Sequence, residues 1–438
     1  TAHEAISIYD SGAFGGYKPG GHLGGAASAG GPYHVPNGRV VEHQVYTNTV
    51  PCGYMRGPGE PQAMFEVESQ MDCVARAIGM DPVEFRRKNL VRNGESDAIG
   101  NEYQDVRALE VLEEAVKESG YDKPKQQDPV LKYGRGIAIG DRSQGGGQTQ
   151  ASVTLNADGS VVIHTSVFEQ GSGSYTVMQQ IVADRLGVPL DRVTVRVWDT
   201  LSSPGYDNGI GGSRVTRMAG QAVLDAAEAA STQMYTLAAE LLGWPDDKLQ
   251  LDGDNVSRTD TGESQSWAEL LSRTGNPVTG FGAVNDTVRN PFTSFTAQVA
   301  DVAVDPETGQ VKLLKMTTVH DTGTVFNPIG FHGQINGGLV QGIGYALTEE
   351  IVVEDGRVST LSFADYKLPS IADLPELKTV VLKAKEGYGP YHIKGIGEHS
   401  NAQTAPAIIN AIEDAVGVRI HDLPATAEKV YRLLKEEQ

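Results

Sequence analysis

Fifty-two of the 438 residues are glycine, and they come in clusters, not at a fixed period. At roughly 12% against a usual ~7%, that content without a three-residue repeat excludes a collagen-like chain. The 39% of apolar residues spread between the clusters excludes simple disorder. What remains is a folded chain whose regular elements are joined by glycine-rich loops, where main chain can come close to a ligand or to another backbone.

Charge narrows the options further. Acidic residues outnumber basic ones by 56 to 36, for a formal net charge of -20, so neither nucleic acid nor an anionic membrane is expected as a partner. No stretch reaches the ~20 apolar residues of a membrane helix. The opening residues Thr1, Ala2, His3 and Glu4 lack both parts of an export signal, and the expectation is a cytoplasmic protein. Cys52 and Cys73 are too few for an iron–sulfur cluster or an all-cysteine zinc site, and the ten histidines show no HExxH or comparable spacing. No protein-ligated metal site is expected, and any iron–sulfur centre belongs on another chain.

Periodicity sketches the organisation. Residues 5–9 and 40–46 read as strands, with a glycine-rich loop over most of 10–37 between them. Phe65, Val67, Met71, Val74 and Ile78 predict a helix over 63–78. Asp81-Pro82-Val83-Glu84 carries an N-cap, an N1 proline and a capping-box acid for a second, and a third covers 106–119. The polar, proline-bearing stretch 121–133 divides the chain into domains 1–130 and 131–438. Beyond it come a hairpin through 157–160, a helix over 175–186, a strand over 193–198 and a long helix over 215–242. A second hairpin turns at 305–310, and further helices cover 335–347, 405–416 and 426–436. Hairpins interleaved with helices, without a regular strand–helix–strand rhythm, indicate an α+β fold.

Four segments of the second domain share one grammar, a tight run of glycine and small polar residues after a strand or before a helix. They are EQGSGS (169–174), GIGGSR (209–214), GQINGG (333–338) and KGIGE (394–398). Freed amides and small hydroxyls at helix N-termini suit a phosphate or a polar heterocycle; singly, each can equally be a turn. A dinucleotide-binding fold is not supported, because Gly134, Gly136 and Gly140 give GxGxxxG within a strand with no helix after it. Glu398 reads either as a partly buried general base or as an acid favoured by a helix dipole. Arg56 can equally be a loop-tying arginine, Gln170 and Gln334 loop amides, and Cys52 inert packing.

Taken in order, MRGPGEPQ, EQGSGSYTVMQQIVADRLGVP, GIGGSRVTRMAGQAV, HDTGTVFNPIGFHGQINGGLVQGIGYALTEE and KGIGEHSNAQTAPAIINAIEDAV resemble the molybdenum-binding subunits of the xanthine dehydrogenase (molybdenum hydroxylase) family. The resemblance spans roughly residues 1–420 and implies two molybdopterin-binding domains with mixed sheets, hairpins and packed helices. Residues 1–130 would be the C-terminal part of the first and 131–438 the second. It implies a molybdopterin cofactor with Mo, the cytosine dinucleotide form among those open, whose dithiolene binds the metal. The residues it places on that cofactor are Gly171, Ser172, Gly173, Gly212, Ser213, Arg214, Gln334, Gly395 and Gly397. Glu398 takes the place of the catalytic base, and Arg56, Pro58, Asp141 and Arg142 are placed toward the substrate.

Some positions depart from the family pattern. Ser172 stands where the family's loop has glutamine. Pro58 replaces the ring that stacks on purines, and Gly57 replaces the copper-binding cysteine of carbon monoxide dehydrogenases. The resemblance therefore points to another N-heteroaromatic or an aldehyde, with water-derived oxygen inserted at an electron-poor sp2 carbon. The family's earlier segments are not in this sequence, so the expectation is the C-terminal portion of a large subunit, perhaps split as in nicotinate dehydrogenase. Its expected partners are a chain carrying the missing N-terminal part, a 2Fe-2S subunit and a FAD subunit. The alternative is a non-catalytic cofactor-holding or assembly subunit.

Overall fold

The computed structural model describes residues 2–13, 25, 28–197, 199, 205–287, 292–382 and 386–436. Residues 14–24, 26 and 27 of the glycine-rich loop expected within 10–37, and Trp198 at the expected end of a strand, lie outside them. Strands β1 (His3–Asp10) and β2 (Gly38–Val45) pair in parallel. Helix α1 (Glu60–Ala77) follows, then α2 (Pro82–Asn89), capped by Asp81 on the amides of Val83 and Glu84, and α3 (Ala108–Ser119), which ends at Gly120. Val67, Val83, Val111 and Leu112 from these helices share a core with Ile137, Ile139, Phe295 and Val299. The N-terminal helices are thus packed on a sheet formed much later in the chain.

That later part begins with β3 (Lys132–Ser143), β4 (Gly147–Leu155) and β5 (Val161–Thr165), then α4 (Ser174–Leu186), β6 (Val193–Val197) and α5 (Val215–Leu242). Three short strands, β7 (Leu249–Asp252), β8 (Asn255–Arg258) and β9 (Ser264–Ser266), lead into α6 (Trp267–Thr274). The chain continues through β10 (Val278–Asp286), β11 (Thr293–Val304), β12 (Val311–Asp321) and α7 (Pro328–Leu347). It ends with β13 (Val353–Glu354), β14 (Arg357–Val358), β15 (Glu376–Leu382), α8 (Thr404–Val416) and α9 (Ala427–Glu436).

Two four-stranded sheets follow one plan. Their orders are β10-β4-β5-β6 and β3-β11-β12-β15. In each, a hairpin (β4–β5, β11–β12) leads through a crossover helix (α4, α7) to a parallel strand (β6, β15) and then to a second helix (α5, α8). The fourth strand, β10 or β3, lies antiparallel to the first strand of the hairpin. Each of these strands carries a Gly-x-Gly where the second helix lies on it. A Cβ at Gly280 or Gly282 would fall 2.2 or 2.0 Å from the carbonyls of Ala226 or Ala222 in α5, and one at Gly134 would fall 2.0 Å from the carbonyl of Ala411 in α8. The glycines of GRG at 134–136 therefore let a helix approach a strand.

The fold is α+β, as expected, but GQINGG is not a loop. Residues 333–338 are helical, because Pro328 sits at N1 and the Asn327 side chain accepts from Gly330 N, so α7 starts earlier than periodicity indicated. The glycines serve packing: a Cβ on Gly338 would fall 1.8 Å from Ser400 Oγ, and one on Gly342 would fall 2.4 Å from Thr404 Cβ.

Candidate active site

The repeated plan sets four helix starts side by side. Some of the residues leading into α4 (within 170–174), α5 (within 208–216), α7 (within 322–334) and α8 (393–398) line one cavity of about 940 Å3, together with Tyr54, Met55, Arg56, Pro58 and Arg142. For EQGSGS, GIGGSR and KGIGE the common grammar thus has a geometric cause, since each brings the chain toward a helix at the same place, whereas GQINGG contributes Gln334 from inside α7.

Glu398 stands in this wall with both its backbone and its carboxylate fixed. Its N–H donates to Ser213 Oγ at 2.9 Å, and its Oε2 accepts from Arg142 Nε at 3.0 Å and Nη2 at 2.6 Å. Its Oε1 has no hydrogen-bond partner among the described residues. Ser213 holds this position with φ 56°, a region that is costly for a residue with a Cβ. Gly395 and Gly397 pack on it: their Cβ atoms would lie 2.9 Å from Ser213 Cβ and 3.2 Å from Ser213 Oγ. Gly212, Ser213, Gly395, Gly397 and Glu398 therefore lie together on one wall.

Arg142 is engaged differently from a residue waiting for substrate. Besides Glu398, it donates through Nη1 to Glu60 Oε2 at 2.6 Å. Glu60, the first residue of α1, is 2% exposed, and burial pushes its carboxyl up to about 7 in spite of Arg142. The sequence reading missed it, because an acid in the first turn of a helix ordinarily reflects only the dipole. His399, next to Glu398, places Nε2 2.9 Å from the Arg142 carbonyl, and burial pushes its pKa down to about 3, so the ring is neutral.

Arg56 combines the two readings open for it. It lines the cavity and also ties its walls, with Nε donating to the Gly397 carbonyl and Nη2 to the Gln334 carbonyl at 2.8 Å and Oε1 at 3.5 Å. Burial lowers its pKa. Gln334 in turn donates through Nε2 to the Gly171 carbonyl at 3.3 Å. Pro58, Ser172 and Gln170 also line the cavity.

At the α4 loop the amides expected to face a cofactor are already occupied. Glu169 Oε1 accepts from Gly171 N (2.8 Å), Ser172 N (2.7 Å) and Gly173 N (3.1 Å), while Oε2 accepts from Ser174 Oγ (2.9 Å) and Tyr175 N (3.2 Å). These bonds, working against burial, hold the Glu169 carboxyl down at about 2. Gly171 and Gly173 do not line the cavity and instead shape this internal anion site. Arg214 is also set back. It is buried and donates to the carbonyls of Gly209 (2.6 Å) and Gln148 (3.0 Å) and to Asp207 (3.3 Å), holding its own loop. Asp141 does not line the cavity either, and accepts from Thr293 Oγ1 at 3.0 Å.

Several neutral polar groups remain for a ligand. Thr322 Oγ1 and Gln341 Oε1, both on residues of the wall, are buried without partners among the described residues, as are both amide atoms of Gln144, which sits against Gly395. Orphaned neutral donors and acceptors beside glycine-rich backbone fit a polar heterocycle better than a bare ion. Among the described residues no group of three or more His, Cys, Asp and Glu side chains could hold a metal ion, and no helix is long and apolar enough to cross a membrane.

Residues 113–375 match the family model described as a molybdopterin cofactor-binding domain, and residues 1–90 match a second model of the same description. The chain belongs to the molybdenum hydroxylase family. The nicotine 6-hydroxylase large subunit of Paenarthrobacter nicotinovorans is 32% identical over 94% of this chain and 54% of its own length. A putative xanthine dehydrogenase molybdenum-binding subunit of Escherichia coli is 31% identical over 88% of this chain and 54% of its own. Quinoline 2-oxidoreductase from Pseudomonas putida 86 superposes on 98% of this chain and 59% of that one, with a TM-score of 0.90 and 25% identity. This molybdenum hydroxylase chain spans about half the length of the curated relatives it matches.

Proposed function

We propose that the chain is the cofactor-binding catalytic subunit of a molybdenum hydroxylase that inserts water-derived oxygen at an electron-poor sp2 carbon of an N-heteroaromatic or an aldehyde. The observation that carries this reading is Glu398, a carboxylate on the cavity wall with one oxygen tied by Arg142 and the other unbonded among the described residues. Relatives named for nicotine and quinoline, both N-heteroaromatics, support the substrate class.

The cofactor in this reading is molybdopterin with Mo, and when bound it supplies the two-electron redox centre. Gly212, Ser213, Gln334, Gly395 and Gly397 would hold it through backbone and amide groups, Ser172, whose amide is taken by Glu169, would lie beside it on the cavity wall, and Gly171, Gly173 and Arg214 shape the loops around it. Glu398 accepts a proton at Oε1 as general base, the role for which a positioned carboxylate is suited. Arg142 keeps Oε2 occupied, so the proton arrives at one defined atom. Arg56 and Pro58 face the substrate side. Domains 1–130 and 131–438 would each contribute to cofactor binding; the two separate family matches, at 1–90 and 113–375, support two such units without marking this boundary. Electrons would leave through 2Fe-2S and FAD subunits, a further chain would supply the remaining part of the molybdenum subunit, and the complex would work in the cytoplasm.

The test is metal and nucleotide analysis of the complex purified from its source, followed by assay on quinoline, nicotinate and benzaldehyde. About one molybdenum per chain and turnover of one of these are expected, and cytosine nucleotide release would identify the dinucleotide form. Glu398→Gln should lower kcat by about 10²–10⁴-fold with molybdenum content unchanged. Full activity in that variant overturns the assignment of the base, and a molybdenum complex with no turnover favours a cofactor-holding subunit.

A further inference from the structure

Two carboxylates from distant parts of the chain meet at one guanidinium. Arg142 of β3 gives Nε and Nη2 to Oε2 of Glu398 and Nη1 to Oε2 of Glu60 at the start of α1. Its carbonyl is fixed by His399, so main chain and side chain are both held. One cation between two carboxylates leaves an excess negative charge where Glu60 is 2% exposed, and buried excess charge is costly. The positive charge of Arg142 is already matched, which removes it as an anchor for an anionic substrate.

We propose that Glu60 is a positioning residue for Glu398 and sets the reactivity of that carboxylate through the arginine they share. The inference rests on the reading of Glu398 as the base and deepens it. Glu60 is faced by Arg142 and Asp141 from β3 and by Glu398 from the segment before α8, and Glu398 is faced in turn by Arg56. His399, being neutral, adds no charge. Burial pushes the Glu60 carboxyl up to about 7, and its Oε1, buried without a partner among the described residues, is the site open to a proton. With Glu60 protonated, Arg142 is answered by Glu398 alone and makes it a weaker proton acceptor. With Glu60 ionised, the arginine is divided between two anions and Glu398 is a stronger acceptor. The rate therefore rises through neutral pH as Glu60 loses its proton.

The test uses the molybdenum-loaded complex with quinoline and benzaldehyde as probes. Glu60→Gln keeps the shape of the neutral form, and Glu60→Asp keeps the charge. Wild type should show a rise in kcat across neutral pH. Glu60→Gln should flatten it and hold kcat about tenfold below the wild-type plateau, with KM changed by less than about twofold, and Glu60→Asp should restore the rise. Independently of turnover, the infrared difference between wild type and Glu60→Gln should contain a protonated-carboxyl signal that is lost as pH rises through about 7. Superimposable pH profiles, absence of that signal, or a KM increase with kcat retained would each overturn the proposal. Full activity in Glu398→Gln removes the base and this proposal together. An inactive Glu398→Gln beside an unchanged Glu60→Gln profile removes this proposal alone.

Discussion

Ser213 and Glu398, 185 residues apart in sequence, are joined by a 2.9 Å hydrogen bond from the Glu398 amide to the Ser213 hydroxyl. The serine makes this bond from a left-handed backbone conformation, so local strain is coupled to the placement of the carboxylate. Ser213→Ala keeps the strain and removes the acceptor. A hydrogen bond of this kind contributes about 1 kcal/mol, and the loosened backbone should lower kcat by about tenfold with little change in KM. Ser213→Gly relieves the strain and still lacks the hydroxyl, so it should melt at a higher temperature than Ser213→Ala while recovering no activity.

Glu169 makes a prediction about acid stability. Six donors at the start of α4 hold its carboxyl at about 2 against an ordinary 4.5. A depressed carboxyl stabilises fully above its unfolded value, and that contribution is lost as pH falls through the folded one. Wild type should lose stability between pH 4.5 and 2 from this site, and Glu169→Gln should not show that component. At neutral pH the variant should be less stable by about 1–2 kcal/mol, the range for loss of a charged N-terminal cap. Thermal unfolding across that pH range measures both effects.

These two sites show what the sequence made legible and where it stopped. The strand-to-helix turns carrying Gly212-Ser213 and Gly395 to Glu398 were readable because glycine and small polar residues before an apolar helix are a local signal. The α7 glycines were misread, because Gly337 and Gly338 look like loop residues unless one knows that Ser400 and Arg56 lie against that helix. Strand β10 was missed for the same reason: Gly280 and Gly282 lower strand propensity, and only the close approach of α5 requires them. The contact between Glu60 and Arg142 joins residues 82 apart, and no periodicity encodes it.

Arg86 offers a test of the N-terminal helices that is independent of the site. It is 0% exposed and bonds Glu68 Oε2 at 3.0 Å, Asp72 Oδ1 at 2.8 Å and the Glu68 carbonyl at 3.2 Å. Burial raises the carboxyl of Glu68 even with the arginine present. Arg86→Met leaves the buried Glu68 without its cation and Asp72 with only Arg76, at 3.5 Å, and should destabilise the protein by about 3–5 kcal/mol. The loss should shrink at acidic pH, where Glu68 takes up a proton. Denaturant titration at neutral and acidic pH checks both statements.

Glu60 should leave a mark on stability of opposite sign to Glu169. Its carboxyl is raised from 4.5 to about 7 by burial, which outweighs the attraction of Arg142. A raised acid holds its proton longer in the folded state, so its contribution is complete below about pH 4.5 and declines as pH rises to about 7. At about 1.4 kcal/mol per pH unit, the decline amounts to ~3 kcal/mol, with no further change from this group above neutrality. Glu60→Gln cannot titrate and should lack that slope, so it should be the more stable protein at pH 8 by a margin that narrows toward pH 5. Parallel melting curves of the two proteins from pH 5 to 8 would mean that Glu60 stays ionised in the fold, despite its burial beside Glu398.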